Sequence, residues 1–154
     1  ETALAILADG LARANPLYRL ETVQMSWPTL LDNIDNRRLP LAMTGWYEDY
    51  HDASNWAFTY LHSDGTNSGP QNFPPELADR LDPLVDAAAV ESDPEKRDVL
   101  YAALQQLAID NATAIFINQG LGRAYWRREV EGVYVNPLAA GIDFYNLAKS
   151  PAAP

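Results

Sequence analysis

The chain has 154 residues, 47 % of them hydrophobic, with 11 Lys or Arg against 21 Asp or Glu and a formal net charge of -10. That length and apolar fraction suit one domain, or part of a larger protein, with a core of its own. The acidic balance excludes the basic footprint that nucleic-acid binding requires. The lack of cysteine excludes disulfides, thiolate metal sites and cysteine nucleophiles.

The first predicted element is a helix over Thr2–Asn15, with Leu4, Leu7, Leu11 and Ala14 on one stripe and Pro16 closing it. Tyr18–Met25 alternates and reads as a strand. Ser26 is the expected N-cap of a helix over Trp27–Asn36, because Pro28 suits a first turn. Leu30, Leu31 and Ile34 face inward on it, and Arg37-Arg38 complements its C-terminal dipole. Leu39–Thr44 reads as a short, mostly buried strand, and Gly45 permits a sharp turn at its end.

Asp52-Ala-Ser-Asn55 caps a short aromatic helix, Trp56–His62, and residues 63–75 form a Gly/Ser/Asn/Pro-rich loop long enough to be functional or mobile. Glu76–Glu91 is helical on Leu77, Leu81, Leu84, Val85 and Ala88, with a kink or restart expected at Pro83. Asp93-Pro94-Glu95 is a strong start signal for a helix to about Asp110, carried by Val99, Leu100, Ala103, Leu104 and Leu107. Arg97 near its start is expected to pair with Glu95 or Asp93. From there the period shortens. Ala114–Asn118, Gly122–Trp126, Val133–Val135 and Gly141–Leu147 read as strands, Arg127–Glu129 as a charged turn, and Ser150–Pro154 as a frayed terminus. Helices alternating with strands over short links predict an α/β fold. No apolar run approaches the length of a membrane-spanning helix. The opening Glu1-Thr-Ala-Leu-Ala lacks the basic start and apolar stretch of a signal peptide.

Chemistry concentrates where an apolar run meets Trp46, Tyr47, Glu48, Asp49, Tyr50, His51 and Asp52. Rings beside carboxylates suit a small ligand carrying an amine, since a half-buried ammonium needs a charged partner. The expected ligand-binding residues are Trp46, Tyr47, Asp49 and Tyr50. The structural alternatives are a core role for Trp46 and helix capping for Asp49 or Asp52. Glu48 and Asp49 make a poor catalytic pair, because neighbours on extended chain point to opposite sides. His51 and His62 fit no compact metal spacing. No metal, cofactor or catalytic residue is expected.

A family resemblance accompanies these residues. Gly45-Trp-Tyr-Glu-Asp-Tyr-His-Asp52 with Asn55-Trp-Ala-Phe58 is similar to the "GW-x-x-DY-x-D-x-x-N-F" segment of bacterial extracellular solute-binding proteins of the peptide/nickel class, the capture subunits of ABC importers. Pro75-Glu-Leu-x-x-x-Leu-Asp-x-Leu-Val-Asp-x-Ala, followed by Asp93-Pro-Glu-Lys-Arg-x-x-Leu-Tyr-x-x-Leu-Gln-Gln, resembles that class's paired helices. Ala112–Trp126 and Arg127-Arg-Glu-Val-Glu-Gly132 resemble its returning strands.

The resemblance covers nearly the whole chain and implies the C-terminal portion of a type II, two-lobed periplasmic-binding-protein-like fold. In that reading residues 1–117 are most of the second lobe, and residues 118–154 return toward the first. It further implies a capture protein, not an enzyme, at the periplasm or cell surface, with ABC permease subunits and the remainder of its own chain as partners. Its ligand is a short peptide held by its amino end at the position of Asp49, with an oligosaccharide or a metal chelate as alternatives. Two departures stand out. Asn111-Ala-Thr-Ala-Ile-Phe116 lacks the prolines common there in the class, and the loop over residues 64–73 is longer. The rival readings are a hydrolase using Glu48, Asp49 and His51, and a free-standing helical interaction module.

Overall fold

The computed structural model describes residues 2–120, 123–134, 136 and 143–150. Five α-helices dominate them: α1 (Thr2–Ala14), α2 (Trp27–Asp35), α3 (Ala53–Leu61), α4 (Pro75–Val90) and α5 (Pro94–Asp110). The sheet is two residues deep. β1 (Val130–Glu131) pairs antiparallel with β2 (Ala148–Lys149), Val130 opposite Lys149 and Glu131 opposite Ala148. Two units divide the chain, Glu1–Ala42 with Phe116–Gln119, and Met43–Ile115 with Gly120–Pro154.

The α/β, two-lobed expectation is therefore overturned. The described residues are mostly helical, and their only sheet has two strands. The helices fall where capping and periodicity put them, whereas none of the expected strands forms among the described residues. Tyr18–Met25, Leu39–Thr44 and Ala114–Asn118 join no ladder among the described residues, and Leu41, Met43, Ile115 and Phe116 lie exposed. The physical reason is that a helix closes its hydrogen bonds within itself, while a strand needs a neighbour that no local pattern supplies. Phe144–Asn146 is a turn rather than part of a strand, and Arg123–Trp126 and Val133–Tyr134 are irregular. Gly122, Val135, Gly141–Ile142 and Pro151–Pro154, the remainders of the expected strands and terminus, lie outside the described residues.

In the first unit, Ser26 caps α2 through Thr29 N–H at 3.4 Å, as Pro28 in the first turn suggested. Arg38 pairs with Asp32 at 2.7 Å. Neither α1 nor α2 has a fully buried residue. Leu4, Leu7 and Leu11 form a half-buried stripe, and Trp27 stays exposed.

The second unit holds the core, a layer of α3, α4 and α5 around Leu81, Val85, Ala88, Leu104 and Ala108, closed by Ala57, Leu61 and Leu77. On α4 the predicted stripe holds, and Pro83 lies within the helix without ending it. On α5 the stripe is rotated. Leu104 and Ala108 are buried with Tyr101 and Leu107 against them, while Val99 is 69 % exposed. Asp93 caps α5 through the N–H groups of Glu95 and Lys96 at 3.1 and 3.3 Å.

The loop after α3 is tied down at several points. Ser63 donates its N–H and hydroxyl to the two Asp82 carboxylate oxygens at 2.8 and 2.5 Å. The N–H groups of Asn67 and Ser68 reach Thr59 O, and the buried Ser68 hydroxyl donates to His62 O. Gly65 lies against the end of α3, where an added Cβ would overlap Phe58 O and the Ser68 hydroxyl and lie 2.8 Å from Thr59 O. Two of those obstacles are backbone and cannot swing aside. Gly65→Ala is therefore expected to cost about 1–3 kcal/mol of stability, the range for overpacking, read as a lowered urea midpoint with unchanged slope.

Candidate functional site: the Trp46–Asp52 loop

The loop that precedes α3 is held from beneath by that helix. Asp52 is the N-cap, its carboxylate accepting Ser54 N–H at 2.7 Å, which places Asn55 at the third helical position. There it is 7 % exposed. From that position its amide reaches back past the cap to the loop before it. Asn55 Oδ1 accepts the Trp46 indole N–H at 2.8 Å and the Asp49 backbone N–H at 3.3 Å, and Asn55 Nδ2 donates to Asp49 Oδ2 at 3.4 Å.

Two further ties fix the loop. Glu48 accepts the Trp56 indole N–H at 2.8 Å through one oxygen and meets His51 Nδ1 at 2.6 Å through the other. That contact holds the Glu48 carboxyl below its ordinary range and raises His51 above its own. Asp52 Oδ1 takes the Arg97 guanidinium at 2.6 Å, which holds its carboxyl well below the usual carboxylate range. Arg97 also donates to Ala88 O and Tyr101, so it binds the α3 cap to both α4 and α5. The expected Arg97 pairing with Glu95 or Asp93 is replaced by this contact, 45 residues distant in sequence.

The four sequence-predicted residues stand as follows. Trp46 is half-buried, its ring edge fixed on Asn55. Asp49 is exposed beside it. Tyr50 is exposed with its hydroxyl 3.3 Å from Ser54 Oγ. Tyr47 is 95 % exposed. Trp46 and Asp49 are thus brought together by one amide, Tyr50 lies on the same helix start, and Tyr47 projects from the loop. Gly45 takes no left-handed conformation, and space around it is open, so the turn there does not depend on glycine.

Of the three carboxylates here, Glu48 and Asp52 each have strong donors. Asp49 has only the long contact from Asn55 to one oxygen, leaving Oδ1 without a hydrogen-bond partner among the described residues. A groove of about 390 Å³ lined by Phe73, Leu77, Arg80, Asn111 and Thr113 contains none of the four. Among the described residues, no three His, Asp or Glu side chains converge as a metal site, and no helix is long and apolar enough to cross a membrane.

Sequence reasoning missed Asn55 and Arg97 as members of this site, and placed Trp56 there only as a stacking surface, with Trp46, for the alternative oligosaccharide. The contacts of Asn55 reach six and nine residues back along the chain, beyond the span of a cap pattern. The Asp52–Arg97 contact had no local signal.

No protein-family model matches this chain, and no curated protein is significantly similar to it.

Proposed function

We propose that this chain captures a short peptide by its free amino end on the Trp46–Asp52 surface, without turnover, as the solute-binding component of an ABC importer outside the cytoplasm. The observation that carries the ligand class is Asp49, an exposed carboxylate fixed by its backbone N–H and with one oxygen uncommitted, beside the ring of Trp46. An ammonium placed there gains a charge-assisted hydrogen bond and an aromatic neighbour. The importer role rests on the sequence resemblance around Gly45–Phe58 and the two long helices. For the rival hydrolase, Glu48 has one oxygen on Trp56 and the other on His51, and Asp49 is bonded to Asn55 rather than to either.

Calorimetric titration with trialanine and N-acetyl-trialanine tests the reading. The free amine is expected to bind and the acetylated form to bind about threefold to fivefold more weakly, the worth of one exposed charged contact. Asp49→Asn is expected to erase that difference. Equal affinity for the two peptides would end the proposal.

A further inference from the structure

We infer that Asn55 is the positioning residue of this site, aligning Trp46 and Asp49 as one unit so that the loop presents a ring and a single free carboxylate oxygen in fixed register. For its effect on peptide affinity this rests on the capture reading; for its geometry it does not.

The amide makes three contacts. Its oxygen takes two donors, the Trp46 indole and the Asp49 backbone N–H, and its nitrogen faces Asp49 Oδ2. The two donors fix which end of the amide is oxygen. The main chain of Asn55 is engaged too. Its N–H donates to Asp52 O at 3.1 Å, and its C=O accepts the Thr59 hydroxyl at 2.6 Å. Only asparagine meets these demands from the third helical position. Aspartate keeps the acceptor but sets a charge against Asp49. Alanine and leucine leave the indole N–H without its partner, which is costly for a half-buried donor. By occupying Oδ2, the Asn55 amide leaves Oδ1 as the oxygen facing a ligand.

A staple that merely stabilised the loop would affect the folding free energy alone. A positioning residue changes the Trp46 environment and the amine selectivity as well. The chain has four tryptophans, so nitrogen-15 labelling yields four indole N–H resonances, with that of Trp46 identified by its loss in Trp46→Phe. Asn55→Ala is expected to shift the Trp46 resonance and to speed its exchange with solvent by about tenfold or more, as loss of a hydrogen bond worth ~1–1.5 kcal/mol requires. The resonances of Trp27 and Trp126 stay in place. Asn55→Asp retains the acceptor and is expected to leave the Trp46 resonance near its native position. In the native chain the affinity ratio of trialanine to N-acetyl-trialanine measures amine selectivity, and both variants are expected to lower it by about threefold to fivefold.

An unchanged Trp46 resonance in Asn55→Ala overturns the inference whether or not any peptide binds. If the native chain does not distinguish the two peptides, the capture reading falls, and the indole result alone decides the role of Asn55. Should Asn55→Ala fail to fold, Asn55→Asp serves instead: native amine selectivity in that variant overturns the inference.

Discussion

Leu81→Ala is expected to lower the unfolding free energy of the α3–α4–α5 unit by about 3–4 kcal/mol, the cost of a buried leucine truncation whose cavity cannot collapse. Leu81 is 0 % exposed and Leu104 1 %, and with Val85 and Ala88 they form the centre of the layer. The core is small. A handful of aliphatic side chains closes it, so few neighbours can move in to fill a void. Against a typical domain stability of about 5–15 kcal/mol, the variant sits close to the limit of cooperative folding. Urea titration followed by far-ultraviolet circular dichroism measures the loss. Val99→Ala is the control. That side chain belongs to the stripe the sequence suggests for α5, yet it faces solvent, so its truncation is expected to change stability by less than about 0.5 kcal/mol. Equal losses at positions 81 and 99 would mean the core is packed around a different face of α5.

The contrast between those two positions illustrates what local sequence can convey. Periodicity located α4 and its buried face well because Leu77, Leu81, Val85 and Ala88 repeat at helical spacing with polar residues between them. On α5 apolar residues occur all round, at Val99, Leu100, Ala103, Leu104, Leu107 and Ile109. The buried stripe there is chosen by α3 and α4, which no window on α5 contains. Caps were legible at Ser26, Asp52 and Asp93 because the cap hydrogen bond spans only two or three residues. The strands were not, since alternation in Tyr18–Met25 or an apolar run in Leu39–Thr44 reports suitability for a sheet and not the presence of one. The extent of the loop over residues 63–73 suggested freedom, but the side chain that anchors its start, Asp82, lies a full segment further along the chain.

The candidate site divides the same way. A cluster of rings and acids between Gly45 and Asp52 was visible at once, because neighbours in sequence are neighbours in space within a tight loop. Which carboxylate is free was not. That follows from contacts made by Trp56 and Arg97, which take Glu48 and Asp52 out of play. The distinction between Asp49 and its neighbours is therefore a tertiary property. It depends on α5 being docked so that Arg97 reaches the cap of α3.

That docking carries the second large prediction. Asp52→Asn is expected to destabilise the unit by about 1–2 kcal/mol at pH 7, since asparagine caps a helix about as well as aspartate but cannot pair with the guanidinium. The figure allows for solvent, because the Arg97 and Asp52 side chains are 26 % and 33 % exposed. The pH dependence has a definite sign. The Arg97 contact holds the folded Asp52 carboxyl far below its unfolded range, so the folded state binds the proton less readily than the unfolded state. The stabilisation is complete above the unfolded value near pH 4 and is lost as pH falls further through the folded one. The gap between the native chain and Asp52→Asn should thus stay level from about pH 8 to pH 5 and narrow steadily below pH 4. His51, raised by Glu48, acts in the opposite sense, contributing below its unfolded value and fading as pH rises through the folded one. It is present in both proteins, and only the minor part of its shift that comes from the Asp52 charge survives in the difference. Urea titrations of the two proteins at each pH, with Arg97→Met as the reciprocal variant, measure the gap. A difference that does not narrow below pH 4 would mean that Asp52 stabilises the unit as a cap alone, and that α5 is held against the loop by packing around Leu104 rather than by its charge.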